Sequence, residues 1–475
     1  MAYTLLRPCY SALHPTAAKL LSLFSFWPSP SPLRSLTTSS RQSPTFQRVT
    51  TEVQSSLDSH GEYWWHTSGL LLSALLDEAG YSTTAQHRIL TFFGRTIAPS
   101  LGPTYIPGAP QWHSFMTDDH HPIELSWDWH TGHKSPTVRF SVEPVGIDAG
   151  TPVDPDNRTA DASFRTAMTA ALPDAHMAWF EHFDRELTPT APTGSMEGHP
   201  SKLFYAFDLS ADAITSKAYF FPGFVARATS QSNLQVMSDA IARAPGCCST
   251  TTTTPASLAA LHTFHDFARD PLTPPLEMDM LAIDMDPPAL SRLKIYFRNR
   301  ATDFASVRQM MTLGGRIPLS SDMVRGLQNL RRLWDAVFEQ SGMPDSHPLG
   351  SSTHRTNGLL YNVEFRPGSP DLKVKIYMPA RHYARCDDHV LSAIRSFMAT
   401  QVGANPSPMR GGGGGGDFAS VMRRMCHPDA LQDRGLHTYI GCSVQKGGDL
   451  RVVSYVNGQG PKLLDSVSAS GRARV

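Results

Sequence analysis

Lys373-Val374-Lys375-Ile376-Tyr377-Met378-Pro379 alternates polar and apolar side chains up to its closing proline. In an extended chain successive side chains point to opposite faces, so Val374, Ile376 and Met378 share one face and Lys373, Lys375 and Tyr377 the other. Four further stretches read the same way: Val138-Arg139-Phe140-Ser141-Val142, Lys217-Ala218-Tyr219-Phe220-Phe221, Arg292-Leu293-Lys294-Ile295-Tyr296 and Arg451-Val452-Val453-Ser454-Tyr455. Aligned on Arg139, Lys217, Lys294, Lys375 and Val453, they recur at intervals of 78, 77, 81 and 78 residues. A period held over five units is the mark of one supersecondary unit repeated.

Each of these strands follows another after a short polar, Gly or Pro turn, as at Gly368-Ser369-Pro370 and Gly447-Gly448-Asp449. The expected partners are Ile123–Trp129, Leu203–Leu209, Met280–Met285, Leu360–Arg366 and His437–Val444. Helical patterns lie between the hairpins, at 159–184, 232–243, 320–340 and 387–401. The unit therefore reads as two helices and a hairpin. The helices need an apolar sheet face to pack on, so the polar face must look elsewhere. An open sheet with one solvated face would satisfy the alternation. Closure satisfies it as well and removes exposed strand edges. The expected fold class is α/β: a ten-stranded antiparallel barrel of five ααββ repeats, helices outside and a polar lumen within.

The chain has 475 residues, of which 40% are hydrophobic, enough for a large core. Forty-two basic residues balance 42 acidic ones, which argues against nucleic acid as a partner, because phosphate binding needs a net basic surface. No run of 18 apolar residues points to a membrane span. The six cysteines form no CxxC, and no histidine spacing completes a zinc site, so reduced cytosolic thiols are expected. Residues 1–50 lack Asp and Glu and are rich in Ser, Thr and Pro, like a disordered or targeting-like segment. The expected organisation is that segment, one barrel domain over 51–465 with order beginning near Tyr63-Trp64-Trp65, and a flexible tail over 466–475. The expected location is cytoplasmic, with mitochondrial targeting as the alternative. Gly411–Gly416 reads as a flexible loop without the lysine of a phosphate loop.

Several stretches, taken in order, carry a resemblance: Trp64-Trp65, Leu101-Gly102-Pro103, Thr117-Asp118-Asp119, Pro122-Ile123-Glu124-Leu125-Ser126-Trp127, Lys217-Ala218-Tyr219-Phe220-Phe221-Pro222, Leu313-Gly314-Gly315 and Lys375-Ile376-Tyr377-Met378-Pro379. From about Trp64 to Tyr455 the chain resembles the fungal dimethylallyl tryptophan synthase family of aromatic (indole) prenyltransferases. The resemblance implies the ABBA prenyltransferase barrel, which agrees with the repeat. It also implies transfer of a dimethylallyl group from dimethylallyl diphosphate to an aromatic acceptor in secondary metabolism, with no metal and no other cofactor. Its acceptor would be an indole: tryptophan, a cyclic dipeptide or an alkaloid precursor. A phenolic or polyketide acceptor is the nearest alternative, and a non-catalytic barrel binding an anionic aromatic ligand is the alternative of another class. A homodimer is compatible with the resemblance.

The residue types fit that chemistry. No Asp-rich DDxxD motif is present, so protein cations would receive the leaving diphosphate. Arg139, Lys217, Arg292, Lys294 and Lys375 resemble the family's diphosphate ligands, and charge-assisted hydrogen bonds from them would stabilise its developing charge. Tyr219, Tyr296, Tyr377 and Tyr455 lie two residues beyond the aligned positions, with Tyr439 on the last partner strand. Their faces would cage an allylic cation and keep water away. Glu124, on the polar face between Ile123 and Leu125, matches the family's glutamate that accepts the indole N–H. It must be ionised to act, a state that nearby cations would favour. A second base is not assigned, because the preferred register puts Phe204 rather than Lys202 at the position some members give to a lysine. No arginine on Met278–Met285 is placed to hold a free amino-acid carboxylate. Asp118-Asp119-His120-His121 reads as a solvated turn, and His113, His120, His121, His130 and His133 read as surface-loop residues. The last repeat has Val453 where the others have a cation.

Overall fold

The structure is a computed structural model that describes residues 42–129, 136–188, 199–247, 258–401 and 417–458. Expectations for 1–41, Cys9, His130, His133, Cys248, Gly411–Gly416 and the tail at 466–475 lie outside the described residues.

Ten antiparallel strands close on themselves. They are β1 (Ile123–Trp129), β2 (Thr137–Val142), β3 (Leu203–Leu209), β4 (Ile214–Phe220), β5 (Glu277–Asp284), β6 (Leu293–Asn299), β7 (Leu359–Phe365), β8 (Lys373–Met378), β9 (His437–Val444) and β10 (Leu450–Val456). Each pairs with its neighbours in sequence, and β10 pairs with β1 to complete the barrel. The strand expectations hold to within a few residues. β5 starts ahead of the expected Met280, and a register shift between Met278 and Met280 accounts for the break in its alternation.

Faces divide as the alternation requires. Leu293, Ile295 and Phe297 are fully buried beneath the outer helices. Trp127 on β1 packs against Phe418 of the helix Phe418–Met425, 5.5 Å between rings. The long helix Ser321–Phe338 lies so close to β9 that a Cβ on Gly326 would fall 2.4 Å from the Val444 side chain. Glycine at that position is what lets the helix settle on the barrel. The pattern at 159–184 is two helices, Ala160–Ala171 and Ala178–Leu187, because Pro173 cannot continue the first.

Folded structure begins earlier than the expected start at 51 or Tyr63. The helix Pro44–Val53 is capped by Ser43 and buries Phe46, Val49 and Val53, with Phe46 stacked on Trp65 at 4.6 Å. Its low acidity reads as targeting-like, but its apolar stripe belongs to the core. No described helix is long and apolar enough to cross a membrane.

Candidate active site

The inward faces of the strands line a lumen with two halves. The wider half, a cavity of about 500 Å3, is walled by Arg139, Lys217, Arg292, Lys294, Lys375 and Arg451, with Asp208, Asn362 and Glu364 among them. All five cations expected from the sequence meet here. Arg451 joins them from two residues before Val453, pairing with Asp128 at 2.6 Å. The last repeat therefore does carry a cation, displaced by one inward-facing position as Arg292 is from Lys294. An alignment demanding one fixed position could not register it.

The carboxylates are what the sequence reading missed. Arg139 contacts Asp128 (2.6 Å) and Asp208 (2.9 Å), and Lys217 is hydrogen-bonded to Asp208. Arg292 reaches Asp284 (2.6 Å) and Glu364 (3.3 Å), and Lys294 lies 3.2 Å from Asp284. Strand register explains the set: Asp208, Asp284 and Glu364 stand directly opposite Arg139, Lys217 and Lys294 on the next strand. Like cations packed this closely would repel, and alternating carboxylates hold them. Burial alone would raise the Asp284 pKa, but Lys294 and Arg292 outweigh it and bring it to about 2. Lys217 and Arg139 likewise hold Asp208 below its ordinary value against burial. Burial draws Lys294 down to about 8, with Asp284 opposing the change.

Beyond the cations the lumen turns aromatic. Tyr219, Tyr296, Tyr377 and Tyr455 line both halves, and Tyr439, Phe115, Met116, Phe204, Met280 and Leu360 complete the inner one. Neighbouring rings touch in sequence: Tyr219 to Tyr296 at 5.8 Å, Tyr296 to Tyr377 at 5.6 Å and Tyr377 to Tyr455 at 5.7 Å. Tyr439 meets Tyr377 at 6.4 Å. Burial raises the pKa of every one of these phenols, so they are neutral hydroxyls. Phe204 stacks on Tyr219 at 4.2 Å, whereas Lys202 points away and donates to the Asp156 carbonyl. The register that put Phe204 in the lumen is the one observed.

Glu124 projects into the aromatic half from β1 and accepts a hydrogen bond from Thr438. Burial, aided by the negative charge of Asp118, pushes its pKa up to about 8, against which the Thr438 hydrogen bond and the Lys375 charge are the weaker effects. Nearby cations therefore do not keep it ionised, contrary to expectation, because the carboxylates described above already engage most of them. A carboxyl with this pKa can accept a proton or a hydrogen bond near neutrality.

The rim overturns two expectations. Asp118 is not a solvated residue: Arg381 (3.2 Å), His382 (3.1 Å) and Thr356 (2.8 Å) converge on its Oδ2, with His354 at 3.5 Å. Arg381 also holds Asp119 at 3.1 Å. Asp118, His354 and His382 present ligand atoms within 4.8 Å of one another, a spacing that suits a metal ion, but the Arg381 guanidinium already brings a positive charge to the shared oxygen. His121 is buried between Trp64 (5.0 Å) and Tyr105 (5.1 Å) rather than lying in a surface loop. His113, by contrast, is exposed and stacks on half-buried His120 at 4.6 Å. Burial of this turn depends on the distant segment 354–382, and local composition carries no sign of it. Arg355, from the same segment, covers the ring of Phe115 at 5.2 Å. Arg298 on β6 is buried near the rim, donating to the Thr356 carbonyl at 2.9 Å. β5 itself supplies no arginine.

Comparison with known proteins matches this architecture. A family model described as tryptophan dimethylallyltransferase matches residues 60–405. The chain is 36% identical over 396 residues to 4-O-dimethylallyl-L-tyrosine synthase of Claviceps purpurea, covering 82% of this chain and 86% of that protein. It is 30% identical over 413 residues to 7-dimethylallyltryptophan synthase of Aspergillus fumigatus, covering 83% and 84%. Among solved structures, AnaPT from Neosartorya fischeri superposes with a TM-score of 0.71 at 21% identity, covering 88% of this chain and 98% of that one. NotF in complex with brevianamide F and DMSPP gives 0.68 at 21% identity, covering 85% and 96%. At such identity the structural likeness is one of fold.

Proposed function

This chain belongs to the tryptophan dimethylallyltransferase family, and on that premise we propose that its barrel, as a single domain, transfers a dimethylallyl group from dimethylallyl diphosphate to an aromatic ring without a metal ion. The observation that carries the reading is the junction itself: a cation-lined half and an aromatic half share Tyr219, Tyr296, Tyr377 and Tyr455. The diphosphate lies among Arg139, Lys217, Arg292, Lys294, Lys375 and Arg451. Its three negative charges compete with Asp128, Asp208, Asp284 and Glu364 for them. As the allylic C–O bond breaks, these cations stabilise the charge growing on the leaving group, and the tyrosine faces stabilise the carbon it leaves. The acceptor ring enters from the aromatic side, where Glu124 accepts its N–H and raises its electron density toward the cation.

The leading acceptor is an indole such as tryptophan. A phenol such as tyrosine is the second reading, favoured by the 36% identity to a tyrosine synthase and by Phe204, so that no lysine is among the described residues lining the aromatic half. With a phenol, the carboxylate form of Glu124, which a pKa of about 8 leaves accessible near neutrality, takes the O–H proton and one base suffices. The test is incubation of the purified chain with dimethylallyl diphosphate, EDTA, and in separate reactions tryptophan, tyrosine, a tryptophan-containing cyclic dipeptide and a phenolic polyketide. A prenylated indole or phenol in the presence of EDTA is expected. Absence of product from every acceptor would refute the proposal, and activity abolished by EDTA and restored by magnesium would refute its metal-free form.

A further inference from the structure

Lys375 differs from the other cations of the lumen. Arg139, Lys217, Arg292, Lys294 and Arg451 each have a carboxylate within ion-pairing distance. Among the described residues none lies that close to Lys375. The cause is in the strands. β3, β5 and β7 set an acid opposite the cation of the strand before, whereas β9, the strand after Lys375, reads His-Thr-Tyr-Ile-Gly-Cys-Ser-Val and has no acid to offer.

The ammonium is held by another kind of partner. Nζ donates to the Tyr455 hydroxyl at 2.8 Å and lies over the rings of Tyr377 and Tyr455, 4.5 and 5.1 Å from their centroids. Gly441 makes the room, since a Cβ there would come within 2.7 Å of Cε and 2.9 Å of Nζ. Both tyrosines line the two halves of the lumen, so this nitrogen sits where the halves meet. Under the functional reading above, on which this inference rests, that is where the breaking C–O bond lies.

We propose that Lys375 is the proton-transfer residue of the reaction, an acid toward the departing diphosphate and then a base toward the substituted ring. As the allylic C–O bond breaks, its electron pair stays on the diphosphate oxygen, and that oxygen takes a proton from Nζ. A ring carbon of the acceptor then bonds to the allylic carbon, and its displaced proton goes to the neutral amine. The balance is one C–O bond broken, one C–C bond formed, and one proton carried from ring to diphosphate, with lysine restored. Surroundings suit the task. Burial, with the positive charges of Arg451 on β10 and Arg139 on β2, draws Lys375 to about 7 against the opposing Asp128 on β1 and Cys442 on β9. Cys442 on β9, raised to about 12 by burial, remains a thiol, and the flanking tyrosines remain phenols. A group that titrates near neutrality both gives and takes a proton readily.

The test separates proton transfer from simple charge. Lys375→Arg keeps a positive charge on a group that does not deprotonate. Its affinity for the thiolodiphosphate analogue of the donor, read by calorimetry, is expected to stay within about threefold, while kcat falls about 100-fold or more. In Lys375→Ala, added methylammonium is expected to restore turnover, with the rescue following amine pKa, and guanidinium is not. Full kcat in the arginine variant, or equal rescue by guanidinium, would reduce Lys375 to a charge anchor and overturn the proposal. The alanine rescue decides the matter even if arginine does not fit beside Gly441. Wild type assayed alongside keeps the two failures apart: without product from wild type the functional reading fails, and with it only the assignment of Lys375 is at stake.

Discussion

The two halves of the lumen are made from the same strands by opposite means. In the outer half charge is balanced by charge, with Asp128, Asp208, Asp284 and Glu364 interleaved among the cations. In the inner half charge is scarce. At its rim Asp118 is paired with Arg381, and deeper in five neutral tyrosines surround Glu124, whose burial raises its pKa to about 8. Paired charges can exchange one partner for another, so the outer half can accept a trianion without ever leaving cations bare. A buried carboxyl with no cation in ion-pairing distance holds its proton up to about pH 8 and can exchange it near neutrality. Lys375 lies on the border and, like Glu124, has no counter-charge within ion-pairing distance among the described residues. On the proposed reading, one repeat builds a binding end and a reacting end by placing carboxylates beside the cations in some units and omitting them in others.

The comparison can be broken from the inner side first. Glu124→Gln should lower kcat by about 10²- to 10⁴-fold while the affinity for the donor analogue stays within about twofold. Steady-state kinetics with calorimetry on the same preparation checks this. Loss of donor affinity would mean that the halves are not separate. On the outer side, Lys294→Ala removes a charge-assisted contact worth about 1.5–3 kcal/mol, so donor affinity should fall about ten- to a hundredfold. Acceptor affinity measured without donor should be unchanged.

A smaller effect concerns the cage. Tyr377→Leu removes a ring face worth about 0.5–2 kcal/mol to a cation. The ratio of dimethylallyl alcohol to prenylated product should rise severalfold, as chromatography of the quenched reaction would show. The smallest effect is on stability against pH. The folded state holds the Glu124 proton between the ordinary value of 4.5 and about 8, where the unfolded chain has released it. That group's contribution to stability therefore declines as pH rises through this window. Asp284 has the opposite sign: its stabilisation is present above 3.8 and lost as pH falls toward about 2. Glu124→Gln should accordingly gain stability over wild type at pH 8 and differ little at pH 4.5, as urea melts at the two values would read. An equal difference at both would show that Glu124 is not a raised carboxyl.

Much of this was legible in the sequence, for a physical reason. A strand side chain reports its face by parity, so Lys294, Tyr296, Lys375 and Tyr377 could be assigned to the lumen from alternation alone, and the 78-residue rhythm supplied their neighbours. Relations across strands were not legible. Asp284 opposes Lys217 through a register that no single strand records. Arg451 sits one inward-facing position early, so the fixed alignment on Val453 passed over it. The Asp118 turn looks exposed in isolation and is buried only because Arg381 and His382 return from far along the chain. Glu124 could be picked out by its flanking residues, but its protonation depends on how completely the barrel encloses it.

The most direct test of the central claim, one end for the donor and one for the acceptor, is paired calorimetry. The thiolodiphosphate analogue and the accepted aromatic are each titrated into wild type, Lys294→Ala and Phe204→Trp. Lys294→Ala should lose affinity for the analogue alone, and Phe204→Trp for the aromatic alone. Loss of both affinities in either variant would contradict the division of the lumen.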